Sequence, residues 1–164
     1  MKKIVFKYVA YAMITGMIAF GFSLFLGASE VLGYTAIFVA LSFVFFGIKY
    51  FRDTENDGKI SFTKAFIVGI CIALFTALGI AIVDALYVTV IDPDFYQNYG
   101  EAAVIAAKET GDTVKITDAE TQLKEFSAMS MTQLGIFSGG FMFALVGVIG
   151  LIITIISGLI LQKK

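Results

Sequence analysis

The chain has 164 residues, 59% hydrophobic and 15% charged, with a formal net charge of −1 and a mean hydropathy of +0.89. Soluble domains carry roughly 25% charged residues, so the composition excludes an ordinary soluble domain, and the charge excludes a basic surface for nucleic acid. With no histidine and a single cysteine, Cys71, no His/Cys metal centre, intrachain disulfide or His-based catalytic triad can form within one chain.

Four apolar runs, at about 8–29, 31–51, 63–91 and 134–162, are long enough to cross a hydrocarbon core of about 30 Å, which takes roughly 20 helical residues. Lipid offers the backbone no hydrogen-bond partner, so each run must be helical. The expected fold is an all-α integral membrane protein, a single domain over 1–164. It has four transmembrane helices and a short external helical hairpin, 92–130, between spans three and four. The first run has a basic start, Lys2, Lys3 and Lys7, and a small-residue stretch, Gly27-Ala28-Ser29, as a signal peptide would. Its apolar length exceeds the roughly 7–15 residues of a signal core, and Leu26 fits poorly before a cut after Ala28. It is read as a retained span.

Orientation follows from the basic residues. Lys2, Lys3 and Lys7, then Lys49, Arg52, Lys59 and Lys64, then Lys163 and Lys164 put both termini and the middle loop in the cytoplasm. The acid-rich segment after span three then faces outside. The middle loop contains Asp57-Gly58, a strong turn signal. In the outer segment, Asp92-Pro93-Asp94-Phe95 offers an N-cap, a proline at the first helical position and an acid in the first turn. Gly111 is a plausible stop. Thr117-Asp118-Ala119-Glu120 has capping-box spacing and predicts the start of a second helix, with Ala119, Leu123 and Phe126 on one face.

Span three repeats small residues every fourth position: Ala65, Gly69, Ala73, Ala77, Ala81 and Ala85. Such a ridge lets another helix approach closely. Span two, with Phe38, Phe43, Phe45 and Phe46, is the expected complement. Span four has its own stripe, including Gly140, Ala144, Gly147, Gly150, Thr154, Ser157 and Gly158, and span one has Ala12, Gly16, Ala19, Ser23 and Gly27. These read as packing within one bundle rather than as a dedicated dimer interface.

Asp84 is the ionisable residue inside span three, and an acid in a membrane helix is by default a functional hypothesis. At about 1.5 Å per residue, it lies about 30 Å along the helix from Lys64. That count places it at the outer interface as a solvated group. The sharper alternative is an outward acidic cluster of Glu30, Asp84, Asp92 and Asp94, with hydroxyls from Tyr87 and Tyr96. Carboxylates suit Ca²⁺ or Mg²⁺, but the spacing matches no metal loop, so neither metal nor cofactor is expected. The acids Asp53, Glu55, Asp57, Asp118 and Glu120 read as solvated surface.

Several segments together resemble a bacterial family of small membrane proteins known as domain of unknown function 4199. They are Phe46-Gly47-Ile48-Lys49-Tyr50-Phe51-Arg52-Asp53, Gly58-Lys59-Ile60-Ser61-Phe62-Thr63-Lys64-Ala65, Asp92-Pro93-Asp94-Phe95-Tyr96, and the apolar segment from Gly150 closed by a basic tail at Lys164. Gln162 stands where a basic residue would be typical. The resemblance implies the four-span topology and a bacterial inner-membrane setting, and carries no activity. Two function classes follow. One is a non-catalytic accessory or scaffold protein packing in the lipid bilayer as a homo-oligomer or against a partner membrane protein. The other is a small transporter, channel or ligand-binding protein using the outward acids. No nucleophile–base pair or metal-ligand set suggests an enzyme, and the scattered polar residues along the spans favour the accessory class.

Overall fold

The computed structural model describes residues 2–27 and 30–163, nearly all of them helical. In chain order the helices are α1 (Lys2–Phe25), α2 (Glu30–Glu55), α3 (Phe62–Leu86) followed by a π-helical turn (Tyr87–Ile91), α4 (Phe95–Thr110), α5 (Thr113–Ala128) and α6 (Met131–Leu161). Four stretches are long and apolar enough to cross a membrane: Val5–Phe25, Val31–Glu55, Phe62–Ile91 and Met131–Leu161. The protein is an all-α integral membrane protein with four such helices. The expected end of the first span, at residue 29, lies outside the described residues. Two compact units divide the chain, one of Met1–Val83 with Gly139–Lys164 and one of Asp84–Ser138.

In the first unit the small-residue ridge decides the packing. Ala65, Gly69, Ala73, Ala77 and Ala81 are all buried. Opposite them α6 also presents small or short side chains. A Cβ placed on Gly158 would stand 3.7 Å from the Ala65 Cβ, one on Gly69 2.7 Å from the Thr154 Cγ2, and one on Gly150 2.7 Å from the Ala73 Cβ. Positions rising by four on α3 meet positions falling by four on α6, so the helices run antiparallel with their backbones close. The ridge therefore finds its closest complement in the stripe of span four, not in the phenylalanines of span two. Phe38 and Phe46 are 55% and 52% exposed, facing away from the core. The physical reason is that two helices come closest where both lack side-chain bulk. Span two reaches α3 through Ile48, whose Cδ1 would lie 2.9 Å from a Gly69 Cβ, and at Gly47, which leaves room for Ile72.

The first span lies along α3 as well. Gly79 meets Met13 and Met17, Gly16 meets Ile80 and Ala40, and Gly21 meets Val83, so α1 and α3 run parallel. Hydroxyls buried in these helices bond back to their own backbone: Ser23 Oγ donates to the Phe20 carbonyl at 2.6 Å, and Thr76 Oγ1 to that of Ile72 at 2.8 Å. That is the usual way a membrane helix hides a hydroxyl. Thr154 Oγ1, against Gly69, is buried with no hydrogen-bond partner.

At the polar end of this unit the chain turns at Asp57 (φ 51°) and Gly58 (φ 74°), as the Asp-Gly pair predicts. Ile60 and Lys163 then exchange two backbone hydrogen bonds of 2.9 Å. Arg52 Nη1 donates to the Leu161 carbonyl at 3.4 Å, satisfying one of the orphan carbonyls at the end of α6.

In the second unit α4 ends at Gly111 in the left-handed region, φ 69°, the stop read from the sequence. Asp112 follows directly and caps α5, its Oδ1 accepting from the amides of Val114 at 3.0 Å and Lys115 at 3.4 Å. The expected start at Thr117 is corrected: α5 begins one turn earlier, and the Thr117 hydroxyl donates to the Thr113 carbonyl at 2.9 Å. A glycine stop and an aspartate start stand side by side, and the aspartate reaches the free amides first. Where α4 and α5 cross, Gly100 admits Leu123, whose Cδ1 would be 2.8 Å from an added Cβ. Phe126, on the face of Ala119 and Leu123, is buried.

Candidate functional site

The second unit contains a buried carboxylate. Asp84 lies near the end of α3 and is only 8% exposed. Ser138, early in α6 and 2% exposed, donates its hydroxyl to Asp84 Oδ2 in a very short hydrogen bond. Among the described residues Asp84 has no ion pair. The solvated interfacial aspartate expected from counting along the helix is therefore corrected: Asp84 is enclosed by protein. The count measures depth along a rod and takes no account of neighbouring helices.

The backbone explains why Ser138 reaches it. Beyond Leu86 the helix widens into the π turn, closed by the Asp92 amide on the Tyr87 carbonyl at 2.8 Å. Within it the Thr89 hydroxyl donates to the Ala85 carbonyl at 2.7 Å. Ala85, last of the ridge residues, is half-buried. Gly135 faces this turn, and a Cβ there would stand 2.7 Å from the Thr89 Cγ2. One turn later on the same face comes Ser138. A glycine thus brings the backbone of α6 close enough for a short side chain to span the gap. π turns within α-helices often mark functional sites.

Aromatic rings close the surroundings. Tyr96 on α4 packs on Phe126 with centroids 4.8 Å apart and on Phe137 at 5.9 Å, and Phe126 and Phe137 are themselves 5.9 Å apart. Tyr87 meets Phe95 edge-on at 6.0 Å. Burial pushes the Tyr96 phenol above its ordinary range. A hydrogen bond with Ser138 opposes that shift, and the Asp84 charge and Tyr99 add to it. Tyr96 therefore stays protonated through the neutral range, beside the Ser138 hydroxyl that serves Asp84.

The other predicted acids do not join this group. Asp92 is half-buried and Asp94 exposed. The side chain of Glu30 lies outside the described residues. Among the described residues, no three Asp, Glu or Cys side chains gather where they could hold a metal ion. Nor does Asp92 cap α4. It follows the π turn at φ −132°, the helix begins at Phe95 after Asp94, and Asp94 itself makes no side-chain cap. The Asp92 carbonyl accepts instead from the Phe95 amide at 3.1 Å. Pro93 lacks an N–H and disfavours helical geometry at the residue before it, so the stretch reads as a turn between helices.

Ser138 is the residue that sequence reasoning missed. A signal for it exists: an antiparallel register pairing Ala65 with Gly158 and Ala73 with Gly150 also pairs residue 84 with the step at 138–139. Tyr96 was legible as a hydroxyl source, but its partners Phe126 and Phe137 were not.

A bundle of four apolar helices with a short two-helix insertion and one enclosed acid defines a small multi-pass membrane protein. The chain belongs to the family described as Protein of unknown function (DUF4199), which it matches over residues 7–163. No curated protein and no solved structure matches it.

Proposed function

We propose that this is a small ligand-binding or transporter-like membrane protein whose working group is the Asp84 carboxylate, taking up positive charge as a proton or a small cation. One observation carries the reading: Asp84 is buried, bonded to a neutral hydroxyl, and without an ion-pair partner among the described residues. An acid in that setting is costly in its charged form unless something answers the charge, and acids kept inside membrane helices are as a rule functional. The adjoining π turn and the Tyr96 hydroxyl supply a join that can change shape and a second polar group. The accessory reading rested on polar residues being merely scattered along the spans, and the buried Asp84–Ser138 pair weighs against it. The protein has no intrinsic catalysis on this reading.

The setting we propose is the bacterial inner membrane, with both termini and the Asp57 turn cytoplasmic and the 92–130 hairpin outside. A reporter fused at Asp57 should read cytoplasmic and one at Gly111 external, and both on one side would reject the orientation. For the site, the thermal stability of purified protein is followed against pH and against added Na⁺ or K⁺. Wild type should respond to one of them, and Asp84→Asn should remove that response. A response to pH alone identifies the proton, and a response to salt cation at fixed pH and ionic strength identifies the ion. Equal behaviour of wild type and Asp84→Asn in both series would reject the site.

A further inference from the structure

Asp84 is buried, yet a chain of hydroxyls connects it with the polar hairpin of the second unit. Ser138 donates its hydroxyl to Asp84 Oδ2, and a second hydrogen bond joins Ser138 to the Tyr96 phenol on α4. A hydroxyl has one proton to give and lone pairs to receive with. The Ser138 proton is committed to the carboxylate, so its oxygen accepts from Tyr96, whose phenol keeps its proton through the neutral range. Both bonds therefore point the same way, from phenol to serine to carboxylate. Exposure runs along the same line. Asp84 and Ser138 are buried, whereas Tyr96 is half-buried and is followed by exposed Gln97 and Asn98 on a helix outside the apolar spans.

The surroundings suit a proton better than a metal ion. The rings of Tyr96, Phe126 and Phe137 lie with centroids 4.8, 5.9 and 5.9 Å apart, within the range of direct aromatic contact. A cation moving past them would have to part three rings and shed its water, while a proton moves by exchange of hydrogen bonds. Of the titratable groups, the Tyr99 phenol also bears on Tyr96, and Asp84 has no ion pair among the described residues.

We propose that Tyr96 and Ser138 form a proton wire that loads and unloads Asp84 from the side of the α4–α5 hairpin. The proposal rests on the reading of Asp84 as the working group and names the proton as its ligand. A hydronium ion at Tyr96 gives its proton to the phenol oxygen. The phenol passes its own proton to the Ser138 oxygen, and Ser138 passes its own to Asp84 Oδ2. The carboxylate becomes a carboxylic acid, each hydroxyl again holds one proton, and a water molecule is released. The hydrogen bonds are left reversed, from acid to serine to phenol, which is the orientation that unloading needs. Acids inside membrane helices recur in such relays.

The test is a rapid acid jump on the full chain in detergent, followed by infrared difference spectroscopy. The carboxylic-acid band of Asp84 is assigned by its loss in Asp84→Asn, and in wild type it should grow after the jump. Tyr96→Phe keeps the ring on Phe126 and Phe137 and removes the hydroxyl alone. It should reach the wild-type amplitude about 100-fold more slowly, the lower end of what a positioned proton donor contributes. Tyr99→Phe, whose ring stacks on Phe95 at 6.4 Å, removes a neighbouring phenol outside the wire and should keep the wild-type rate. In wild type itself the growth should slow in D₂O, because three protons move in series. A Tyr96→Phe rate equal to wild type, an equal slowing in Tyr99→Phe, or a rate unchanged in D₂O would overturn the wire and leave Asp84 as the working group. A wild-type band that does not change with pH would overturn it by removing the proton as ligand, and the response to Na⁺ or K⁺ then decides the Asp84 reading by itself.

Discussion

The two units of this protein hold together by opposite means. In the span unit the closest approaches fall at glycines, Gly69 on Thr154 and Ile48, Gly79 on Met13 and Met17, and Gly150 on Ala73. In the Asp84–Ser138 unit the contacts are large rings, Tyr96 on Phe126 on Phe137, around a buried hydrogen bond. The difference follows from the solvent. Lipid tails are as apolar as leucine, so spans gain nothing by hiding leucine from lipid and associate through close van der Waals fit. Helices α4 and α5 are not among the apolar spans, and burying aromatic area from water is what stabilises them.

That contrast is broken most severely at Phe126. Removing a buried phenylalanine typically costs about 3–5 kcal/mol, so Phe126→Ala should unfold the α4–α5 hairpin. Hydrogen exchange should then show lost protection over 95–128 while the amides of α1 and α2 keep theirs. Uniform loss in both regions would mean that the hairpin is not an independent aromatic core.

In the span unit the reverse change should do the damage, because there adding atoms hurts. A Cβ on Gly150 already meets the Ala73 Cβ at 2.7 Å, and neither atom can swing away. Overpacking costs typically about 1–3 kcal/mol, and Gly150→Val and Ala77→Leu should each lower thermal stability in detergent by an amount in that range. Native stability in both variants would show that the ridge does not pack as described.

The spans were legible because a run of apolar residues of sufficient length has few alternatives, and the ridge was legible because small residues every fourth position are a direct statement about one helix face. Gly111 and Asp57-Gly58 could be read for a similar reason, since few residues accept a positive φ. What failed was competition between adjacent local signals. Asp112 pre-empted the capping box at Thr117, and the π turn absorbed the backbone of Asp92 that a regular cap would have used. The site itself was half legible. Asp84 stood out as an acid in an apolar run, but its burial depends on Ser138, which arrives from a helix more than fifty residues away through a close approach at Gly135.

Ser138 separates a buried polar pair from a mere neighbour. Ser138→Ala leaves Asp84 without its donor, and a buried polar group left unsatisfied typically costs about 1–3 kcal/mol. The expected outcome is a loss of stability that Asp84→Asn reverses in the double variant, because an amide in place of the acid carries no charge to satisfy. Simple additivity of the two single effects would show that the pair is not coupled.

The smallest expected effect concerns the two aspartates that flank α4, and it distinguishes a side-chain cap from a turn. Both look like helix starts in the sequence, Asp92 before Pro93 and Asp112 after Gly111. In the structure only Asp112 of the pair accepts amide hydrogens with its carboxylate, from Val114 and Lys115, while Asp92 contributes its carbonyl to the Phe95 amide. A substitution that removes only the side chain should therefore act at one position and not at the other. Replacing an N-cap with alanine costs about 0.5–2 kcal/mol, so Asp112→Ala should speed exchange of the first amides of α5. Asp92→Ala keeps the carbonyl, and Pro93 still bars helix at the preceding position, so α4 should exchange as in wild type. If Asp92→Ala loosened α4 as much as Asp112→Ala loosens α5, the start of α4 would be a capped helix after all, and the turn at Asp92-Pro93-Asp94 would need another account.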